Sequence, residues 1–160
     1  MGQVIRDRGE LARRLAGEQA KGRKVVFTNG VFDLLHAGHA RSLSGARAFG
    51  DLLVVGVNDD GSVRRLKGDK RPIVPLEGRA ELLAALASVD YVIPFPEDTP
   101  EEPIRALAPD VLVKGADYAG KEVAGAEFVK GRGGRVELLP LLPGNSTTDL
   151  VEEVLRRYRG

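Results

Sequence analysis

Lys24-Val25-Val26-Phe27-Thr28-Asn29 runs directly into Gly30-Val31-Phe32-Asp33-Leu34-Leu35-His36-Ala37-Gly38-His39. The first six residues are mostly a continuous apolar run, as expected of a strand covered on both faces of a parallel sheet. The residues after it belong to a turn that opens a helix. The chain has only two histidines, and both fall here, three apart with a glycine between them. Residues three apart in a helix share one face. Gly38 allows a ligand close to the backbone. A helix N-terminus offers free N–H groups and a positive dipole end, so it favours an anion.

Working outward, the same alternation continues. Further strands are expected at Asp51 to Asn58, Tyr91 to Pro94, Asp110 to Lys114 and Arg135 to Leu139. Helices are expected at Ala37 to Phe49, Glu77 to Ala87, Pro100 to Leu107, Ala124 to Gly131 and Thr147 to Tyr158. The last carries Leu150, Val151, Val154, Leu155 and Tyr158 at helical spacing. A helix around Arg8 to Gln19 is expected to pack Leu11 and Leu15 on the outside of the sheet, as part of an N-terminal helical extension over residues 1–22. Strand–helix alternation predicts a single Rossmann-like α/β domain over residues 23–160. Its parallel sheet would have five strands flanked by helices. In such sheets ligands bind beyond the carboxyl ends of the strands, where strand order reverses.

Composition removes several function classes. There is no cysteine, which excludes disulfides, thiolate nucleophiles and Cys-based zinc sites together. Zinc on the two histidines would need Asp33 to complete the site, and no metal ligand is assigned. Net charge is +1 and basic residues are dispersed, so nothing asks for nucleic acid or an anionic membrane. No apolar run reaches transmembrane length, and residues 1–15 are charged throughout, unlike a signal peptide. A cytoplasmic protein is expected. The glycines after the first strand do not form GxGxxG, which argues against a dinucleotide oxidoreductase.

Two imidazoles beside an anion site can both donate to phosphate oxygens. That suits phosphoryl or nucleotidyl transfer, where positioning and charge stabilisation carry most of the catalysis. Ser146 and Thr147 precede the last helix, where hydroxyls either cap free N–H groups or bind phosphate. Lys114-Gly115-Ala116-Asp117-Tyr118 follows the fourth expected strand, across the predicted switch point from the histidines.

The stretch Asn29 to His39 resembles the HxGH signature of the nucleotidyltransferase superfamily that includes the cytidylyltransferases, and Gly144 to Thr148 resembles its Ser-Thr-Thr motif. Asn58 to Gly68, Arg71-Pro72-Ile73, Arg79-Ala80-Glu81, Phe95 to Pro100 and Leu112 to Tyr118 further resemble the D-glycero-β-D-manno-heptose 1-phosphate adenylyltransferases. Asn145 departs from that pattern, standing where an apolar, aromatic or small residue is more usual.

The resemblance implies transfer of AMP from magnesium-bound ATP to a sugar 1-phosphate, with release of pyrophosphate. His36, His39 and Lys67 would be catalytic. Phe32, Asp33, Gly38, Lys114, Gly115, Asp117, Ser146 and Thr147 would bind nucleotide. Asn58, Asp60, Arg71 and Arg79 would serve the sugar phosphate or hold the loop that carries them. The resemblance also implies a separate sugar kinase upstream, and admits a homodimer. The residues themselves leave ATP and CTP open, so a cytidylyltransferase acting on a phosphorylated alcohol is the nearest alternative. A non-catalytic nucleotide-binding module is the alternative of another class.

Overall fold

The apolar runs become the central strands of a sheet in a computed structural model that describes residues 1–141, 143–144 and 146–160; Asn145 therefore lies outside the described residues. The strands are β1 (Gln3–Val4), β2 (Val25–Gly30), β3 (Leu52–Asn58), β4 (Tyr91–Phe95), β5 (Val111–Gly115) and β6 (Arg135–Leu139). The helices are α1 (Arg8–Ala20), α2 (Ala37–Arg47), α3 (Asp60–Lys67), α4 (Leu76–Ala85), α5 (Glu101–Leu107), α6 (Ala126–Gly131) and α7 (Thr147–Tyr158). Among the described residues, no helix is long and apolar enough to cross a membrane.

The sheet has six strands, not the five expected, in the order β1-β4-β3-β2-β5-β6, and every neighbouring pair is parallel. The extra strand is Gln3–Val4, which pairs with Tyr91 and Val92 at one edge. Two residues are too few to show a period of two, so the sequence carries no strand signal there. Helix α3 is likewise absent from the periodicity, because Asp60 to Lys67 is dominated by charge. It is set by its N-cap: the Asp59 carboxylate accepts from the Ser62 N–H at 2.8 Å.

Alternating residues of the central strands feed two cores. Val26, Leu53, Val55, Val57 and Val113 pack with Leu43, Ala46, Ala80 and Leu83, so α2 and α4 cover that face. Val25, Phe27, Val54 and Leu112 pack with Leu11, Leu15, Ile104, Leu107 and Val129, so α1, α5 and α6 cover the other. At the N-terminal ends of the strands, carboxylates occupy backbone donors. Asp51 accepts from the Lys24 N–H (2.7 Å), Asp90 from Leu53 (2.8 Å) and Asp110 from Val25 (2.8 Å). Such charge-assisted bonds close that end of the sheet and leave the C-terminal end open.

Strand order reverses at β2. The chain goes from β2 outward through β3 and β4, then returns to β5 on the opposite side. The β2–β3 ladder runs over Val25 to Gly30, whereas the β2–β5 ladder stops at Phe27 and Leu112. Beyond that point side chains span the gap: the Thr28 hydroxyl donates to the Val113 carbonyl at 3.0 Å, and the Lys114 ammonium donates to the Asn29 side-chain oxygen.

Leu11 is fully buried, so the N-terminal helix is part of the core. Leu11→Ala should lower unfolding stability by about 2–5 kcal/mol in urea titrations. A loss below about 1 kcal/mol would mean that α1 is not seated against the sheet.

Candidate active site

The gap between β2 and β5 opens into a cleft of about 1190 Å³. Its walls include the turn after β2, the N-termini of α2 and α7, the end of α3 and the segment after β5. His36, His39, Lys67, Phe32, Asp33, Gly38, Lys114, Gly115, Ser146, Thr147, Asn58 and Arg71 all line it. The cleft thus gathers residues separated by up to 115 positions of sequence, from Phe32 to Thr147.

The turn from β2 into α2 is built tightly. Phe32 adopts a left-handed conformation (φ 52°), which costs a non-glycine residue on the order of 1 kcal/mol. The strain places its ring edge-on to His39, with centroids 5.4 Å apart. A Cβ on Gly30 would come within 3.0 Å of that ring, so the glycine makes room for it.

His36 is the N-cap of α2 in extended conformation, and its backbone N–H donates to Nδ1 of His39 at 3.4 Å. The residue at the third helical position thus reaches back to the cap, as in a capping box. The two imidazoles stack at 3.8 Å with 24° between their planes. Burial, reinforced by repulsion from His36, lowers the His39 pKa from 6.5 to about 4. His39 is therefore neutral at pH 7. With Nδ1 accepting, its proton lies on Nε2, which becomes a fixed donor. The Nδ1 of His36 is buried without a hydrogen-bond partner, alone in this among the side-chain atoms of the described residues. Leaving such an atom unsatisfied costs about 1–3 kcal/mol, and a bound ligand or water would relieve it.

Asp33 is buried, and its carboxylate is fully engaged. It accepts from the backbone N–H groups of Ile73 (2.9 Å) and Val74 (2.8 Å) and from Arg71 Nη1 (3.3 Å). It clamps the 71–74 loop against the signature and holds Arg71 at the cleft wall. Among the described residues, no group of three or more His, Asp or Glu side chains is placed to hold a metal ion.

Asp60 and Arg79 stand behind the cleft. Of the two uses that the sequence left open for them, the geometry displays loop-holding. Arg79 is fully buried and donates to the carbonyls of Val31 (2.7 Å), Asn58 (2.8 Å) and Val74 (2.9 Å). Its remaining nitrogen meets Asp60 at 2.6 Å, which also accepts from the Leu76 N–H at 3.0 Å. With four hydrogen bonds to the protein and no exposure, the guanidinium is not among the residues that line the cleft. Asp117 is exposed and does not line the cleft; its carboxylate lies where a Cβ on Gly115 would be, 2.6 Å away.

Lys114 sits at the floor, nearly buried, with no carboxylate within 4 Å among the described residues. Desolvation lowers its pKa from 10.5 to about 8, against a smaller upward pull from Asp117. Its partners are Asn29 and the face of the Tyr118 ring, 5.4 Å from the centroid. Asn29 and Tyr118 also line the cleft, and the sequence reading assigned neither a role. The available signal for Asn29 was its place as the last residue before Gly30 at the strand end. Ser146 caps α7 by accepting from the Asp149 N–H at 3.0 Å, and the Thr147 hydroxyl donates to the Leu34 carbonyl at 3.4 Å.

A parallel sheet whose switch point opens onto paired imidazoles at a helix N-terminus is the frame of a cytidylyltransferase-like domain. The chain belongs to the cytidylyltransferase-like family, whose profile matches residues 27–150. It is 56% identical over 154 residues to the bifunctional protein HldE of Trichlorobacter lovleyi, covering 96% of this chain and 31% of that protein. It is 60% identical over 136 residues to the bifunctional protein HldE of Hydrogenovibrio crunogenus, covering 85% and 28%. The chain thus spans about a third of the length of these relatives. Among solved structures, the lipopolysaccharide core biosynthesis protein from Thermoplasma volcanium superposes with a TM-score of 0.62 at 30% identity, over 76% of this chain and 98% of that one. Pantoate-β-alanine ligase from Francisella tularensis superposes with a TM-score of 0.63 at 14% identity, over 98% and 80%, which speaks to fold alone.

The depressed His39 pKa has a signed consequence. Above pH 6.5 the ring is neutral in both folded and unfolded chains. Between 6.5 and about 4 the unfolded chain binds a proton that the folded one refuses, so this residue's contribution to stability is lost as pH falls. His39→Gln should flatten that part of the stability–pH curve, measured by urea unfolding. An unchanged slope would place the ordinary pKa on the folded imidazole.

Proposed function

We propose that this chain joins AMP from ATP to a sugar 1-phosphate, D-glycero-D-manno-heptose 1-phosphate above all, and releases pyrophosphate. The product would be an ADP-heptose-type precursor of a cell-surface glycan. The observation that carries the chemistry is the His36–His39 stack at the helix N-terminus, with a fixed Nε2–H on one ring and an unpartnered nitrogen on the other. The choice of substrates rests on the identity to the HldE relatives and on the sequence resemblance.

In the proposed reaction an oxygen of the sugar phosphate attacks the α-phosphorus of ATP. The new P–O bond forms as the bond to the β-phosphate oxygen breaks, and the electron pair leaves with pyrophosphate. The attacking phosphate is ionised at pH 7, so no strong general base is required. His39 donates from Nε2 to the α-phosphate, and His36 shares the charge that builds there. Lys67 and Arg71, from opposite ends of one loop, neutralise the phosphates beyond it. Lys114, Gly115 and the α7 N-terminus receive the nucleotide side, and Asn58 lies toward the acceptor. Magnesium, brought as the ATP complex, would offset charge on the leaving group. Since Asp33 is already engaged, such an ion would be held chiefly by phosphate oxygens and water. The sugar phosphate would come from a kinase acting upstream, in the cytoplasm.

The first test is pyrophosphate release with magnesium, offering ATP and CTP against heptose 1-phosphate, glycerol 3-phosphate and hexose 1-phosphates. Turnover with ATP and heptose 1-phosphate is expected. Turnover only with CTP and glycerol 3-phosphate would replace the substrate assignment, and nucleotide binding without turnover would favour the binding-module reading. His36→Ala and His39→Ala should each lower kcat by about 10²–10³, as for loss of an oxyanion donor. Near wild-type rates in both folded variants would sink the mechanism.

The Lys114 ammonium adds a pH effect. As pH rises through about 8 the free enzyme loses this charge, so kcat/KM should fall, and Lys114→Met should remove that limb of the profile. A limb that survives the substitution would have to be assigned elsewhere.

A further inference from the structure

The segment after β5, residues 116–124, is a wall with space on both sides. Tyr118, Glu122 and Ala124 line the cleft, and the same three residues line a second cavity of about 460 Å³ behind it. The far side of that cavity is made by α5, α6 and β6. Protein interiors are close-packed, so a segment resting on the core cannot move without displacing it. This one spans a void and is free of that constraint.

Its anchorage is confined to its ends. Residues 116–122 are exposed throughout. Their backbone bonds close on themselves: the Ala119 N–H donates to the Ala116 carbonyl (3.0 Å) and the Lys121 N–H to the Tyr118 carbonyl (2.9 Å). Among the described residues, their side chains make no hydrogen bond or salt bridge. Few buried contacts and solvent-exposed bonds put a segment at the low end of local stability. The ends are firm. Gly115 pairs with Leu139 in the β5–β6 ladder, and Val123 packs on the core beneath α1, α5 and α6. Gly125 is buried at φ 81°, where a Cβ would lie 2.7 Å from Ile104. Midway, Gly120 stands at φ 75° with nothing within 4 Å of a Cβ, so it serves the backbone bend and not a close approach. Two fixed ends and a glycine bend between them make a hinged strap.

The ties that hold the middle of the strap meet at one cleft residue. The Tyr118 ring lies 5.4 Å from the Lys114 ammonium, and the Asp117 carboxylate pulls on the same charge. A ligand moves a segment only through interactions that differ between its two positions. An anion bound at Lys114 competes for that ammonium and so weakens both ties, while the ligand itself offers the strap new contacts from inside the cleft. We propose that residues 116–124 are a strap that closes on a nucleotide bound in the cleft, carrying Tyr118 and Glu122 toward the nucleoside and widening the cavity behind. The proposal rests on the reading of the cleft as a nucleotide site.

The test measures position directly. The chain has no cysteine, so Lys121→Cys and Ala16→Cys together supply the only thiols for spin labels. Both positions are exposed, one on the strap and one on α1, which is seated against the sheet. Double electron–electron resonance on the full chain gives the distance between labels, free and with saturating magnesium-ATP in the absence of any acceptor. Calorimetry on the same protein establishes that ATP binds. Magnesium-ATP should shift the distribution to longer distance and narrow it, because closure carries Lys121 away from the face that α1, α5 and α6 cover. On the unsubstituted chain, hydrogen exchange of amides 117–122 should slow by about tenfold or more, with α1 unchanged. Bound ATP that leaves both readouts unmoved makes the strap a fixed wall; the proposal then falls while the nucleotide reading stands. A shift to shorter distance also overturns it, since the strap would be collapsing into the cavity behind. A folded protein that gives no binding with ATP removes the nucleotide reading and the closure with it.

Discussion

Pairing between β2 and β5 ends two residues into the ladder, at Phe27 and Leu112, and the site follows from that. Strand order reverses at β2, so the helices that follow β2 and β5 leave on different sides of the sheet, and the crevice opens between them at the carboxyl ends of the strands. Backbone groups beyond the last rung still need partners. Thr28 supplies one for Val113, and Lys114 reaches across to Asn29. The crevice therefore opens with a polar floor whose side chains belong to two strands. The carboxylates of Asp51, Asp90 and Asp110 occupy the donors at the opposite end of the sheet, which leaves the carboxyl end as the one available to a ligand.

What stands in the crevice is preorganised in two layers. The outer layer is the signature turn itself: a strained Phe32 against His39, and a backbone N–H that selects the His39 tautomer. The inner layer holds that turn in place. Arg79 gathers three carbonyls from the turn, the end of β3 and the 71–74 loop, and Asp33 gathers two N–H groups of the same loop. Both are ionisable side chains that are nearly or wholly buried, which is tolerable because each is hydrogen-bonded and paired. Donors fixed in this way need no reorganisation as charge develops on a ligand, the condition for electrostatic stabilisation of a transfer state.

The shared fold with a ligase at 14% identity is a reminder that this sheet carries more than one chemistry. The reading as a nucleotidyltransferase rests on the residues at the seam and on relatives above half identity, not on the sheet.

Much of this was legible in the sequence for a physical reason: the core strands are apolar on both faces, and the signature lies within one short segment. The class of fold and the His36–His39 pair needed nothing beyond local pattern. The edge strand Gln3–Val4 was not legible, because two residues hold no period. Helix α3 was hidden by its charges, since its formation depends on the Asp59 cap rather than on an apolar stripe. Nor could the sequence separate the uses of its charged residues. Asp33, Asp60, Arg71 and Arg79 are equally polar on paper, and whether a guanidinium faces a cleft or three buried carbonyls depends on contacts 5 to 48 residues away. Residue type and spacing determined which chemistry this chain can carry. Tertiary structure alone decided which side chains meet solvent and which spend their hydrogen bonds holding the others, because burial is set by segments distant in the chain.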